Sequence, residues 1–427
     1  MLEIKYIREH KEEVIQSLQT RQVKDATELV ETFLSLDKQS RATHTALDTA
    51  SAELHKITKN IEQLLKQDAT GTHAEIASLK LKTQKLKADI KELTGQRNQY
   101  DQELQAALCA LPNLSHPGVP VGVAPNHNEV VYQNEVPLHD LDQQRSHWDL
   151  AVSYDIIDFA SGSKITGAGF PVYRGKGAKL QRALINFFLD EAEKAGYEEI
   201  QPPILINRDS AYGTGQLPDK EGQMYQLADK GLYLAPTTEV PLTNLYRNQI
   251  LPATELPIKN VGYTPCFRRE AGSWGSHVRG LNRLHQFDKV ELVEIRRPEE
   301  SYRALQLMRS HIEDLLEKLM LPYRVLKLCS GDLGFTAAFT YDFEVLSVGQ
   351  GRWLEVSSTT NFETYQATRM RLRYRAPGKK TQWPHTLNGS ALALPRIMAA
   401  LLEYNQRKNS IKVPHVLRPY TGFDRIH

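Results

Sequence analysis

Apolar residues recur at heptad spacing over residues 28–67, with Phe33, Leu47, Leu54 and Ile61 at one position and Leu36, Ala50, Ile57 and Leu64 three residues later. A second run, over 73–108, alternates Ile76 and Ile90 with Leu79, Leu86 and Leu93. Neither run contains proline, so the spacing predicts two long helices that bury one stripe each. Ser40, Thr43 and Thr83 interrupt the stripes and weaken them. Between the runs, QDATGTH supplies turn residues. The expectation is an antiparallel helical coiled-coil hairpin with its tip near Asp68 to Thr72, extending roughly 50 to 60 Å at about 1.5 Å per residue.

The pattern changes at LPNLSHPGVPVGVAP, where Pro112, Pro117, Pro120 and Pro125 break any helix. This connector, about 111–130, separates an N-terminal helical domain, 1–110, from a second domain, 111–427. Beyond it, strand-like runs such as VELVEI and RWLEV alternate with helical runs such as LQRALINFFLDEAEKAG, which predicts an α+β fold. Thr264 to Ile295 reads as two apolar strands joined by a charged loop with Gly272, Gly275 and Gly280. Arg268 and Glu270 stand before that loop. On the returning strand Phe287, Lys289 and Glu291 share one face, and Phe287 offers a plane on which a purine can stack.

Composition narrows the class. With 41% apolar and 24% charged residues, the chain suits an ordinary globular protein of two or three domains. A formal net charge of +2 gives no whole-chain attraction to nucleic acid, so any such attraction must be local. It is concentrated between Leu79 and Arg97, where Lys80, Lys82, Lys85, Lys87, Lys91 and Arg97 face only Asp89 and Glu92. Cys109, Cys266 and Cys329 lie far apart without a CxxC pair, which argues against a disulfide framework or a structural zinc and suits the cytoplasm. Glu3, Lys5 and Arg8 interrupt any signal-peptide run, and ALALPRIMAALL is short and broken by Pro395 and Arg396, so no membrane segment is expected. Neither GxGxxG nor GxxxxGK[ST] occurs.

The 264–295 hairpin resembles motif 2 of the class II aminoacyl-tRNA synthetases, and its words FRREAGS and HQFDKVE are similar to those of the seryl-tRNA synthetase family. LAPTTEVPLTN resembles that family's serine-recognition segment, and GYEEIQPPILIN resembles motif 1, with Pro203 at a dimer interface. LEVSSTTNF and TLNGSALALPR resemble the magnesium segment and motif 3. The resemblance implies a catalytic domain with an antiparallel β-sheet flanked by helices. It also implies a homodimer, ATP as substrate with Mg2+, L-serine, and tRNA(Ser), with tRNA(Sec) as a second candidate. The basic hairpin becomes the tRNA-gripping arm, with Lys80, Lys85, Lys87 and Lys91 as its phosphate contacts. A paralogue that loads a carrier protein would lack such an arm.

Chemistry and resemblance together suggest the roles. Joining a carboxylate to the α-phosphate of ATP brings two anions together, so Arg268, whose planar fork stays charged, is expected to bridge them. By resemblance, Arg396 holds the γ-phosphate, Arg283 serves as a further phosphate contact, and Glu355 with Ser358 binds Mg2+ and ATP. Leu284 meets adenine through its backbone, Phe287 stacks on it, and Glu270 lies near the base or the acceptor end. Arg269, Val356 and Ser357 complete the ATP-binding stretches. For serine, Glu291 is expected to take the ammonium with Thr237 and Glu239, while Asn388 and Ser390 close the pocket beside the hydroxyl. Thr238 contributes only its backbone. Three words depart from the family's usual wording: TTE for TAE, SSTTN for SSCSN, and ALALPR for GLAVGR. The last puts Ala391 and Pro395 where glycines are usual, near ATP.

Overall fold

Helix-forming sequence fills the N-terminal quarter, and the computed structural model shows α1 (Ile4–Glu9), α2 (Lys11–Thr20), α3 (Ala26–Lys66) and α4 (His73–Ala110). The structure describes residues 1–66, 73–137, 144–228, 230–270, 275 and 278–427. It divides into one unit of Leu2–Gln19 with Val23–Pro112 and another of Met1, Thr20–Gln22 and Asn113–His427.

In the first unit α3 and α4 run antiparallel, because Ser40 Oγ donates to Asp101 at 2.9 Å while Glu53 pairs with Lys82 at 2.6 Å. The heptad stripes face inward: Phe33, Leu47, Ile57 and Ile76 are buried, and Leu54, Ile61, Leu79, Leu86 and Ile90 are half-buried. Ser40 and Thr43, the weak points of the pattern, are buried too. Ser40 bonds Asp101 across the pair, and Thr43 Oγ1 returns a hydrogen bond to the Gln39 carbonyl at 3.0 Å. Their polarity is thus satisfied inside the seam. The expected tip, Asp68 to Thr72, lies outside the described residues.

In the second unit eight strands form one sheet: β1 (Glu129–Gln133), β2 (Glu198–Glu199), β3 (Ile258–Phe267), β4 (Gln286–Arg296), β5 (Tyr323–Lys327), β6 (Phe339–Ser347), β7 (Arg352–Asn361) and β8 (His385–Ala393). Their spatial order is β1-β5-β6-β7-β8-β4-β3-β2. Every neighbouring pair is antiparallel except β2 with β3. The helices of this unit used below are α5 (His147–Ser153), α6 (Gly175–Lys194), α7 (Glu239–Asn244), α8 (Pro298–Lys318) and α9 (Leu394–Tyr404). The apolar faces of α6, α8 and α9 bury Leu184, Phe188, Leu305, Ile312, Met398 and Leu402 in one core with Val290, Leu292 and Phe343 of the sheet.

Strand β4 is central, and Val290 through Ile295 are all buried. It carries two buried carboxylates with different surroundings. Glu294 accepts from Tyr197 Oη at 2.5 Å and from Arg296 Nε at 2.6 Å, and both partners are structural. Glu291 belongs to the cavity described next. Among the described residues, no helix is long and apolar enough to cross a membrane.

Candidate active site

Period-two alternation along β4 turns Phe287 and Lys289 toward a cavity of about 360 Å3. Asp288, between them, faces the opposite side, where its carboxylate accepts from Gln181 Nε2 at 2.9 Å and Tyr263 Oη at 2.7 Å. At one end the cavity is lined by Thr237, Glu239, Lys289, Asn388 and Ser390. At the other stand Glu270, Arg283, Leu284, Glu355, Val356, Ser357, Ser358 and Arg396, with Arg268 and Phe287 also in the wall. Residues more than a hundred positions apart in sequence are therefore neighbours.

The first end is rich in charge yet closed. Glu239 accepts from Gln366 Nε2 at 2.7 Å and Asn388 Nδ2 at 2.7 Å. Its enclosure, followed by repulsion from Glu291, pushes its carboxyl up to about 7. Asn388 Nδ2 also reaches Glu291 at 3.2 Å, and Ser390 Oγ donates to Glu291 at 3.4 Å. With its nitrogen committed to two carboxylates, Asn388 leaves Oδ1 buried and unpartnered. Such an acceptor suits a small ligand bearing a hydroxyl or ammonium donor.

At the second end, Arg268 Nε donates to the Pro236 carbonyl at 3.2 Å, and its guanidinium lies 5.3 Å over the Phe287 ring. Glu270, at a left-handed φ of 47°, pairs with Arg283 Nε at 3.1 Å. Arg396, in the first turn of α9, bonds the carbonyls of Glu355 at 2.7 Å and Asn282 at 3.2 Å. Asp342, opposite Ser358 in the β6–β7 ladder, hydrogen-bonds with it and leaves Oδ1 enclosed without a partner.

Some expected residues stand elsewhere. Glu291 is fully buried behind the cavity wall, in a close ion pair with Lys289; at this end Glu239 is the carboxylate that lines the space. Thr238, expected to contribute only its backbone, is also fully buried, its hydroxyl shared with Thr264 at 2.8 Å and the Lys289 carbonyl at 3.2 Å, so its side chain points away. Arg269 does not line the cavity. His285, to which no role is assigned, is held by Tyr225 Oη at 2.7 Å and the Phe170 ring, while Gly272 lies outside the described residues. Lys289 and Gln216 line the cavity although they have no expected role, and Lys289 had a signal: a lysine inside an apolar strand, two residues from a glutamate.

The unusual motif 3 wording is accommodated. Pro395 falls in the first turn of α9, where a missing N–H breaks no helical bond. Leu392 takes a left-handed φ of 74° where the β8–β4 register breaks between Ser390 and Ala393. Beyond that break Ala393, Pro395 and Arg396 reach the cavity.

A mostly antiparallel sheet with Arg268, Phe287 and Arg396 around one cavity is the plan of a class II aminoacyl-tRNA synthetase. Residues 225–405 match the tRNA synthetase class II core domain (G, H, P, S and T), and residues 1–115 match the seryl-tRNA synthetase N-terminal domain. The serine–tRNA ligase of Salinibacter ruber is 46% identical over 429 residues, covering 100% of this chain and 99% of the relative. The seryl-tRNA synthetase of Pyrococcus horikoshii complexed with ATP superposes with a TM-score of 0.90 at 33% identity, covering 100% of this chain and 99% of that one. The cytoplasmic serine–tRNA ligase of Naegleria fowleri in complex with AMP gives 0.85 at 27%, with 100% and 98% covered. The chain belongs to the seryl-tRNA synthetase family.

Proposed function

We propose that this cavity activates L-serine with ATP and that the chain then passes the serine to tRNA(Ser). It is a class II serine–tRNA ligase, and ATP is its substrate. The observation that carries the residue assignment is Arg268, which stands in one cavity with the Glu239 and Asn388 end and the Arg396 and Glu355 end.

The serine ammonium is received at Glu239, with the buried Glu291 adding negative charge behind it. Two carboxylates against the single Lys289 leave room for one more cation. The unpartnered Asn388 Oδ1, with Ser390, takes the hydroxyl, which disfavours alanine and glycine because they leave that acceptor unpaired. A serine carboxylate oxygen attacks the α-phosphorus, the bond to the bridging oxygen breaks, and pyrophosphate leaves with the electron pair. Arg268 holds both reacting anions, and Arg396 holds the γ-phosphate. Adenine stacks at Phe287 against the Leu284 backbone, beside the Glu270–Arg283 pair. In the second step a ribose hydroxyl at the tRNA 3′ end attacks the acyl carbon and AMP leaves.

Glu355 and Ser358 present hard oxygen donors, and the orphaned Asp342 Oδ1 beside them fits a positive charge, so these residues would hold Mg2+. When bound, it neutralises phosphate charge.

The arm, residues 1–110, supplies the tRNA contacts through Lys80, Lys85, Lys87 and Lys91, all exposed. Whether tRNA(Sec) is also charged follows from the same surface. Pairing as a homodimer through the 196–207 segment is supported by exposed Pro203 and by a nearby notch of about 510 Å3. Tyr173 Oη and Gln181 Oε1 are buried there without partners. Three free, buried cysteines suit a cytoplasmic setting.

The deciding experiment is serine-dependent exchange of pyrophosphate into ATP, followed by transfer of serine to tRNA. Exchange should far exceed that with alanine, glycine or threonine. Strong exchange with alanine and none with serine overturns the reading.

A further inference from the structure

His147 and Glu403 are 256 residues apart, both side chains are fully buried, and neither lines the cavity. His147 Nδ1 lies 2.7 Å from Glu403 Oε1, and the His147 backbone N–H donates to the same oxygen at 2.9 Å. The other carboxylate oxygen accepts from Ser347 Oγ and from the Gly349 N–H at 3.0 Å. Burial disfavours the charge on Glu403, but the hydrogen bonds from His147 and Ser347 outweigh it and hold the carboxyl below its ordinary value.

The second ring nitrogen fixes the protonation state. The Leu281 backbone N–H points at His147 Nε2 at 2.9 Å. A backbone N–H only donates, so Nε2 must carry a lone pair and the proton must sit on Nδ1, facing Glu403. His147 is therefore a neutral imidazole of one tautomer, and an acceptor for the chain just as it leaves the motif 2 loop. Leu281, Asn282, Arg283 and Leu284 follow, and all four line the ATP end of the cavity. The fit is close: at Gly280, φ 69°, an added Cβ would lie 2.3 Å from His147 Nε2 and 3.0 Å from the Trp148 ring. A second branch runs through Gln350, whose Nε2 bonds Ser347 Oγ at 2.7 Å and whose Oε1 accepts from Asn282 Nδ2 at 2.8 Å. The Asn282 carbonyl in turn receives Arg396 Nε at 3.2 Å.

We infer that the buried His147–Glu403 pair is a positioning device for ATP: it fixes the tautomer that anchors the Leu281 amide, and so sets the wall carrying Arg283 and Leu284. The inference rests on the reading of this cavity as the ATP site. Removing the acceptor leaves the Leu281 N–H buried and unpaired, which loosens that wall and leaves the serine end untouched. Glu403→Gln acts through the histidine. It replaces the charged acceptor by a neutral amide whose NH2 meets groups that already donate, so the Nδ1 proton is held less firmly and the ring is no longer confined to one tautomer.

The test uses the full-length protein. In the wild type, 15N NMR should show a neutral, Nδ1-protonated imidazole that disappears in His147→Phe and becomes a mixture of tautomers in Glu403→Gln. Both variants should raise the ATP KM in pyrophosphate exchange by about tenfold and leave the serine KM within about twofold. Hydrogen exchange at the Leu281 amide should quicken by at least about tenfold. If His147→Phe fails to fold, Ser347→Ala, which removes one donor to Glu403 and keeps the ring, should shift the ATP KM in the same direction by about twofold or more. A wild-type His147 that is charged or protonated at Nε2, or folded variants with an unaltered ATP KM and a lowered Tm alone, would overturn the inference. Absent exchange in the wild type would overturn the ATP reading itself, while the tautomer and amide exchange still judge the pair.

Discussion

Arg268 stands in the cavity wall, with Nε bonded to the Pro236 carbonyl and the guanidinium over Phe287. Its loss removes a preorganised charge where charge develops, so Arg268→Ala should lower the exchange rate on the order of 10²-fold or more. Arg268→Lys should recover little, because one ammonium cannot replace a planar fork. A near-normal rate in either variant would show that the phosphate contact is misplaced. Glu239 gives a second expectation. Its carboxyl is pushed up to about 7, so it becomes neutral as pH falls through that value, while serine keeps its ammonium. The serine KM should therefore rise below pH ~7, approaching tenfold per unit, and level off above it. In Glu239→Gln this dependence should vanish, and a flat wild-type profile from about pH 6 to 8 would contradict the assignment. At this scale the sequence named residues of the right reach to meet, and Arg268, Glu239, Asn388 and Arg396 do stand around one cavity. It could not show that Glu291 lies behind Lys289, because alternation assigns a face and says nothing of depth. His147 and Glu403 carry no local pattern at all, since only the closed fold brings them together.

Among the elements, α4 holds the clearest asymmetry. At 100° per residue, Lys80, Lys87 and Lys91 fall within about 40° of one another, whereas Lys85 points about 140° away. Gln84, Asn98, Gln102 and Gln105 continue the same flank, and no acidic residue between His73 and Gln105 falls on it. Lys82, on the other side, is engaged by Glu53. Neutralising Lys80, Lys87 or Lys91 should each reduce the salt slope of tRNA binding by about one unit, with a smaller loss for Lys85. Equal effects at all four would mean that RNA surrounds the helix instead of lying along one flank. The helices themselves were legible because a heptad stripe persists over many turns. The short strand β2 and the irregular end of β8 were not, since two paired residues or one left-handed leucine leave no periodic trace.

For the whole molecule, the assigned activation residues all follow the proline-rich connector, and the basic hairpin precedes it. Shortening α3 and α4 by matched heptads should leave serine-dependent exchange nearly intact and raise the tRNA KM strongly. An unchanged tRNA KM would reduce the arm to a spacer. Light scattering should give about twice 48.5 kDa at micromolar concentration; a fully active species near 48.5 kDa would contradict pairing. The order of motifs along the chain was readable at this scale, whereas the cavity's dimensions depended on how eight strands stack. Strand β4 adds a constraint on how relatives of this chain can diverge. Phe287 and Lys289 face the cavity while Asp288, between them, faces the notch at α6, so two surfaces share one thickness of backbone. A one-residue slip would exchange them, turning Val290 and Leu292 toward the nucleotide and Glu291 into the apolar core. Lineages can alter either surface by substitution, but insertions and deletions within this strand should be eliminated.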